Sequence, residues 1–284
     1  MAEKILTANN HDRDVVGMTY VYPVISRRAG GVSVGINLNP NNACNWHCAY
    51  CQVPDLVRGS APAIDLNRLK GELSSMLESI VHGSFMADRV PEDCRTLCDV
   101  AISGNGEPTS CRNFDEIVTL IILVMQKFDL DDDVKLRLIS NGSYISRANV
   151  QAGLKLMNSY NGEVWIKVDS ATGAGIERIN GVSASPELLI SQVKSAVELC
   201  PTWIQTCMVA WDGAEPSDDE VNSYLGFIQQ LSDQSVPVQG VLLYGLARAS
   251  MQVEADHLKP LSQAWMEALT GKIEAKGVEV KLSL

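Results

Sequence analysis

The chain has 284 residues, 46% hydrophobic and 20% charged, which suits one large single-core domain of about the size of an α/β barrel. Its formal net charge is −11, and the absence of any Lys/Arg-rich run or arm disfavours an extended nucleic-acid footprint. No run of about 18 apolar residues occurs, and the opening MAEKILTANNHDRD lacks a secretory pattern, so the sequence predicts a cytoplasmic protein with no membrane span. In a reducing compartment its eight cysteines read as metal ligands or catalytic groups, not as a disulfide framework.

In chain order, MTYVYPVIS and GVSVGI flank Arg27-Arg28-Ala29-Gly30-Gly31 and predict a β-hairpin extension over 1–31, an edge or cover for the first barrel strand. That strand is VSVGINL (32–38). DLNRLKGELSSMLESIV (65–81) carries Leu66, Leu69, Leu73, Met76, Leu77 and Ile80 at helical spacing. A strand CDVAIS (98–103), the helix FDEIVTLIILVMQKF, a strand VKLRLIS (134–140), a helix over 147–157 and a strand EVWIKVD (163–169) follow. PELLISQVKSAVEL, TWIQTCMVA, SDDEVNSYLGFIQQL, VPVQGVLLYG and LKPLSQAWMEALTGKIEAKG continue the alternation. These strand-helix pairs predict an α/β fold, a partial (β/α)6 TIM-type barrel over 32–277 in a single domain of 1–284, with 278–284 as a C-terminal strand or tail. An open doubly wound sheet gives the same alternation. DLDDD (129–133) reads as a solvated acidic turn. GVSVG and GAG (173–175) lack the strand-helix placement of a dinucleotide fingerprint.

The stretch CNWHCAYC places Cys44, Cys48 and Cys51 just beyond the first strand, on the rim where barrel chemistry gathers. Pro40-Asn41-Asn42 disfavours a regular helix, so an irregular loop can aim three thiolates at one object. A four-iron cluster takes one ligand per iron, and three thiolates leave one iron open. The competing reading is zinc on Cys44, His47, Cys48 and Cys51, although structural zinc sites usually draw on two separated arms. The other cysteines, Cys94, Cys98, Cys111, Cys200 and Cys207, are too dispersed along strands and helices to predict a second cluster.

CxxxCxxC with an aromatic before its last cysteine (Cys44, Cys48, Tyr50, Cys51) resembles the signature of the radical S-adenosylmethionine (SAM) superfamily. Ser103-Gly104-Asn105-Gly106-Glu107-Pro108-Thr109 stands after the second strand, where that superfamily carries a Gly-Gly-Glu motif, with Asn105-Gly106 in place of the second glycine. YCQVP, GEPTS and LLYGLARAS are most similar to a single-domain group related to the tRNA wyosine-forming enzymes, with Arg248-Ala249-Ser250 where relatives often carry Arg-Pro-Ser. The resemblance implies a [4Fe-4S] cluster on Cys44, Cys48 and Cys51, with SAM chelating the open iron. Reductive cleavage would then give a 5′-deoxyadenosyl radical that takes hydrogen from a small-molecule or nucleotide-type substrate. An electron donor such as flavodoxin or ferredoxin is implied with it.

Tyr50 is expected near the adenine, and Gly104, Asn105, Gly106, Glu107 and Pro108 along the methionine moiety, with backbone carbonyls or Glu107 accepting from its ammonium. Asn141 reads as a cofactor contact or as half of an Asn-Gly turn. Lys167 and Asp169, on one side of their strand, read as partners of the methionine carboxylate and the ribose, or as a buried ion pair. Leu243 and Tyr244 are expected at the adenine, Gln205 pointing inward, Trp211-Asp212 at the fifth strand's end, and Arg248 on the rim. His11, His82 and His257 read as surface residues. Two other functions stay open: an activase installing a glycyl radical on a protein partner, and a non-catalytic iron-sulfur or zinc protein.

Overall fold

The computed structural model describes residues 5–7, 16–26, 30–130 and 133–284. His11, Arg27-Arg28-Ala29 and two of the DLDDD aspartates lie outside them. In chain order the elements are β1 (Val21–Ser26), β2 (Gly31–Asn37), β3 (Ala43–Cys44), β4 (Val57–Arg58), α1 (Leu66–Val81) and α2 (Phe85–Arg89). Next come β5 (Leu97–Ser103), α3 (Phe114–Gln126), β6 (Lys135–Ser140), α4 (Ala148–Asn158), β7 (Gly162–Lys167), α5 (Gly173–Asn180) and α6 (Pro186–Val197). The chain ends with β8 (Thr202–Met208), β9 (Ala210–Trp211), α7 (Asp218–Asp233), β10 (Gly240–Gly245), β11 (Leu258–Lys259), α8 (Gln263–Glu274) and β12 (Val280–Ser283).

Eight strands form one curled sheet in the order β1-β2-β5-β6-β7-β8-β10-β12. β1 runs antiparallel to β2, which makes it the predicted edge; every later pairing is parallel. Six strand-helix pairs are present, and the C-terminal segment is a further parallel strand against β10 rather than a tail. β1 and β12 end the sheet order, so among the described residues the barrel stays open.

Alternation along each strand sorts the side chains onto two faces. Val34, Ile36, Val100, Ile102, Leu136, Leu138, Val164, Ile166, Ile204, Val241 and Leu243 face the helices and are almost wholly buried with them in one continuous core. The opposite, concave face lines a cavity. Helix starts are fixed by side-chain caps: Asp65 accepts from the Arg68 amide, Ser185 from Leu188, and Ser217 and Glu220 make a reciprocal capping box, each worth about 1 kcal/mol.

Two local expectations are corrected. Trp211 does not end the fifth barrel strand, which stops at Met208; Trp211 belongs to β9, paired antiparallel with β11 outside the main sheet. GAG does open a helix after a strand, but as an N-terminus capped by the Thr172 hydroxyl, and a Cβ at Gly175 would meet Ser170 Oγ at 2.1 Å. No helix among the described residues is long and apolar enough to cross a membrane.

Candidate functional site

The cysteine loop leaves β2 at its C-terminal end, where barrel loops share one mouth. β3 pairs with β4 to close the loop on itself, and the loop is tied down on three sides. On one side His47 and Ala49 donate their amides to the carbonyls of Asn180 (3.0 Å) and Ile179 (2.7 Å) at the end of α5. On the second, Asn141 Nδ2 donates to Asn45 Oδ1 at 2.9 Å. On the third, Ser250 Oγ donates to the carbonyls of Ala49 (2.6 Å) and Cys51 (3.1 Å), while Gln252 Nε2 reaches those of Cys51 and Val53. Held this way, Cys44, Cys48 and Cys51 all line one cavity of about 280 Å³ on the concave face of the sheet. Burial pushes the Cys44 thiol up to about 11, and it pushes Cys48 up to about 12 against the pull of Lys167. Both are neutral thiols until an electrophilic partner takes them as thiolates.

The GNGEPT loop packs directly onto the approach to the cysteines, which explains its glycines. Gly104 has φ +133°, and a Cβ there would meet Asn37 Oδ1 at 2.4 Å; one on Gly106 would meet the Ala43 carbonyl at 2.0 Å. Asn37 Oδ1 accepts from the amides of Asn39 and Asn105, and Asn105 Nδ2 donates to Asn42 Oδ1 at 2.6 Å. Glu107 is 2% exposed, and its carboxylate ties this loop to the end of β6. Oε1 accepts from Ser140 Oγ (2.7 Å) and from the amide and hydroxyl of Thr109, and Oε2 accepts from the Asn141 amide (2.7 Å). Burial raises its pKa, with these donors pulling the other way. Pro108 opens the short 3-10 turn behind it, buried and off the cavity wall.

Tyr50 is the hub of the opposite rim. Its hydroxyl donates to Asp169 Oδ2 at 2.5 Å and accepts from Lys167 Nζ at 3.2 Å, and its ring packs with Ala49, Ile179, Cys207 and Tyr244. Asp169 also accepts from Asn180 Nδ2 (2.7 Å) and the Cys207 amide (2.8 Å), so this carboxylate fastens strands and cysteine loop together. Burial, then the charge of Asp169, holds the Tyr50 phenol well above its usual range. The expected Lys167-Asp169 pair is thus bridged by Tyr50. Tyr244 and Arg248 line the cavity, Arg248 donating to Gln52 Oε1 at 3.0 Å. Leu243 turns its side chain into the helix-side core, away from the mouth. Gln205 faces inward as expected.

Several residues of the site carried no motif. Asn37 and Asn39 lie in the run NLNPNN, whose density of asparagines before the first cysteine was the available signal. Asn180, whose Nδ2 also lies 3.5 Å from Cys48 Sγ, sits at the end of α5 with nothing in sequence to mark it. Gln252 likewise stands outside the LARAS pattern that contains Ser250.

No family model matches the sequence, and a comparison with curated proteins finds no match. Solved structures do match. A radical SAM methyltransferase from Sphaerobacter thermophilus superposes with TM-score 0.58 at 11% identity, over 89% of this chain and 66% of that one. TYW1 with a lysine-pyruvate adduct bound matches with TM-score 0.56 at 16% identity, over 87% and 74% of the two chains. SuiB of Streptococcus suis bound to its precursor peptide SuiA matches with TM-score 0.55 at 13% identity, over 87% of this chain and 47% of that one. The chain has the radical SAM fold. It spans about half the length of the SuiB chain.

Within the radical SAM fold the donor set can be tested against its two candidate guests. A structural zinc ion needs ligands converging on one point. Among the described residues no group of three His, Cys, Asp or Glu side chains does so, Cys44, Cys48 and Cys51 included. His47, the fourth member of the zinc set, turns its Nε2 to Glu254 Oε2 at 3.7 Å and does not line the cavity. A cluster asks instead for three soft sulfur donors on one side of a cavity, each meeting its own iron. Cys44, Cys48 and Cys51 all line the one cavity, the arrangement such a cluster would use.

Proposed function

We propose that the chain is a radical SAM enzyme, with Cys44, Cys48 and Cys51 holding a [4Fe-4S] cluster and SAM bound at the iron they leave open. The observation that supports this reading best is the opening of all three thiols onto one cavity, whose rim carries the Gly104 to Glu107 loop, Asn141, Lys167 and Tyr244. Bound together, the two cofactors supply one-electron cleavage of a carbon-sulfur bond and hydrogen abstraction from substrate.

The chain's own residues bind, orient and exclude water. Lys167 presents its ammonium on the cavity wall, in reach of a ligand carboxylate, and Tyr50 keeps it in place. Glu107 braces the loop whose backbone faces the ligand, and Asp169 braces Tyr50. Val53, Leu56 and Leu246 add apolar wall beside the thiols, which keeps stray water and hydrogen donors away.

The substrate in this reading is a small molecule or nucleotide-type compound, and the electron comes from a flavodoxin or ferredoxin in the cytoplasm. An acidic chain with no basic run supports a compact substrate over phosphate-dominated binding of a whole RNA. The test is anaerobic incubation of reconstituted protein with dithionite and SAM. Release of 5′-deoxyadenosine by the native chain, and none by Cys44→Ala, Cys48→Ala or Cys51→Ala, is the expected result; equal release by Cys48→Ala sinks the assignment.

A further inference from the structure

One side chain on the cavity wall has hydrogen-bonding capacity that nothing around it answers. Gln205, on β8, lines the cavity and is 1% exposed. Neither its Oε1 nor its Nε2 has a partner among the described residues. Buried amide groups are nearly always paired, because a bond left unmade forfeits the hydration of both its donor and its acceptor. Two such atoms on one side chain, aimed into a cavity, mark a place where a ligand completes the pairing.

The surroundings define the ligand's chemistry. Gln205 stands in register with Lys167 on β7 and Leu242 on β10. Lys167 is engaged with the Tyr50 hydroxyl, and Leu242 packs with Trp165 and Trp203. Further down the same face, Arg137 is bound between Asp99 and Glu163, so the charges at the deep end already answer one another. Ile139 and Trp165 give the adjoining wall an apolar, partly aromatic surface. The one charge level with Gln205 is Lys167, which the proposed function gives to the cofactor's carboxylate, so the place left beside Gln205 suits an uncharged ring lying against Ile139 and Trp165.

We infer that Gln205 receives the uncharged polar edge of the substrate, a lactam or primary carboxamide that sets an N–H and a C=O side by side. The Gln205 amide offers the complementary acceptor and donor on one edge. A trans peptide bond cannot satisfy both, since its N–H and C=O point to opposite sides. A ring lactam holds them on the same side. The assignment of this ligand as substrate, and its lack of charge, rest on the proposed function; the pairing of a lactam edge with Gln205 does not.

The probe is δ-valerolactam, titrated by ligand-observed NMR into the reconstituted anaerobic protein, beside its N-methyl derivative and N-methylacetamide. The lactam binds the native chain, and both controls, each unable to pair twice, bind at least about tenfold more weakly. Gln205→Leu and Gln205→Met lose the lactam by a similar factor while their melting temperatures hold or rise, because two unpaired buried atoms are gone. Equal lactam binding by the native chain and both variants overturns the inference. So does a fall in melting temperature in both, which assigns Gln205 a structural role, or displacement of the lactam by SAM, which places Gln205 in the cofactor's own site. SAM titrated into the same samples separates the two claims: lactam binding without SAM binding sinks the proposed function alone, and SAM binding without lactam binding sinks this inference alone.

Discussion

The two faces of the eight-stranded sheet obey different rules. On the helix-covered face the strands contribute Val34, Ile36, Val100, Ile102, Leu136, Leu138, Val164 and Ile166, a nearly unbroken apolar surface. On the concave face the same strands contribute Ser33, Asp99, Arg137, Glu163, Lys167 and Gln205 beside Ile139 and Trp165. A sheet selected for stability alone would fill its concave side with branched apolar residues, as closed barrels do. Here that side is polar and partly hollow, and its polarity is organised: Arg137 bridges Asp99 and Glu163, and Trp165 Nε1 donates to Glu163 at 2.9 Å. One face packs into the core with the helices, while the other is polar and lines the cavity.

Four single substitutions, in falling order of effect, and one triple replacement sharpen or break that contrast. Arg137→Leu leaves the buried Asp99 and the partly buried Glu163 without their cation and costs about 3–5 kcal/mol in urea unfolding. Replacing Arg137, Asp99 and Glu163 together with apolar residues of similar volume restores most of that stability, since the cost lies in unpaired charge and not in lost packing. Leu136→Ala, one residue away but on the other face, costs about 2–5 kcal/mol through the cavity it opens and leaves cluster assembly intact. Loss of iron from this variant would show that the faces are not separable.

Glu107→Gln tests the rim between the faces. It replaces an acceptor-only group, surrounded by the donors of Thr109, Ser140 and Asn141, with an amide that brings its own N–H groups to the same place. We expect a loss of about 1–3 kcal/mol in stability. SAM affinity should fall about tenfold, because the Gly104 to Glu107 backbone is no longer held. An unchanged dissociation constant counts against the bracing role. Ser250→Ala has the smallest effect. It removes the hydroxyl proton shared between the Ala49 and Cys51 carbonyls at a cost of about 1 kcal/mol, and it should speed iron loss to a chelator without changing the iron content at assembly.

The helix-covered face was legible in the sequence because burial there follows simple periods: Leu69, Leu73, Met76, Leu77 and Ile80 on α1, and every second residue of the strands. The gathering of Cys44, Cys48 and Cys51 at one cavity was legible because three cysteines fall within eight residues of one loop after the first barrel strand. The roles of the rim residues were harder to read, since a carboxylate such as Glu107 or Asp169 looks the same in sequence whether it touches a ligand or braces a loop. Only the partners decide, and here Ser140, Asn141, Tyr50 and Asn180 come from distant parts of the chain. Leu243 shows the limit of reading strand ends by position alone. Tyr244 reaches the mouth, and the alternation of the strand sends its neighbour into the core.

The central claim, three thiols holding a cluster with one iron open to SAM, is tested most directly by electron paramagnetic resonance of the anaerobically reconstituted, dithionite-reduced chain before and after SAM is added. The account predicts about four irons per chain, one per cluster corner. It also predicts a reduced-cluster signal whose g-values move when SAM coordinates the open iron. A signal that SAM leaves unchanged, on a chain with its full iron content, would contradict it.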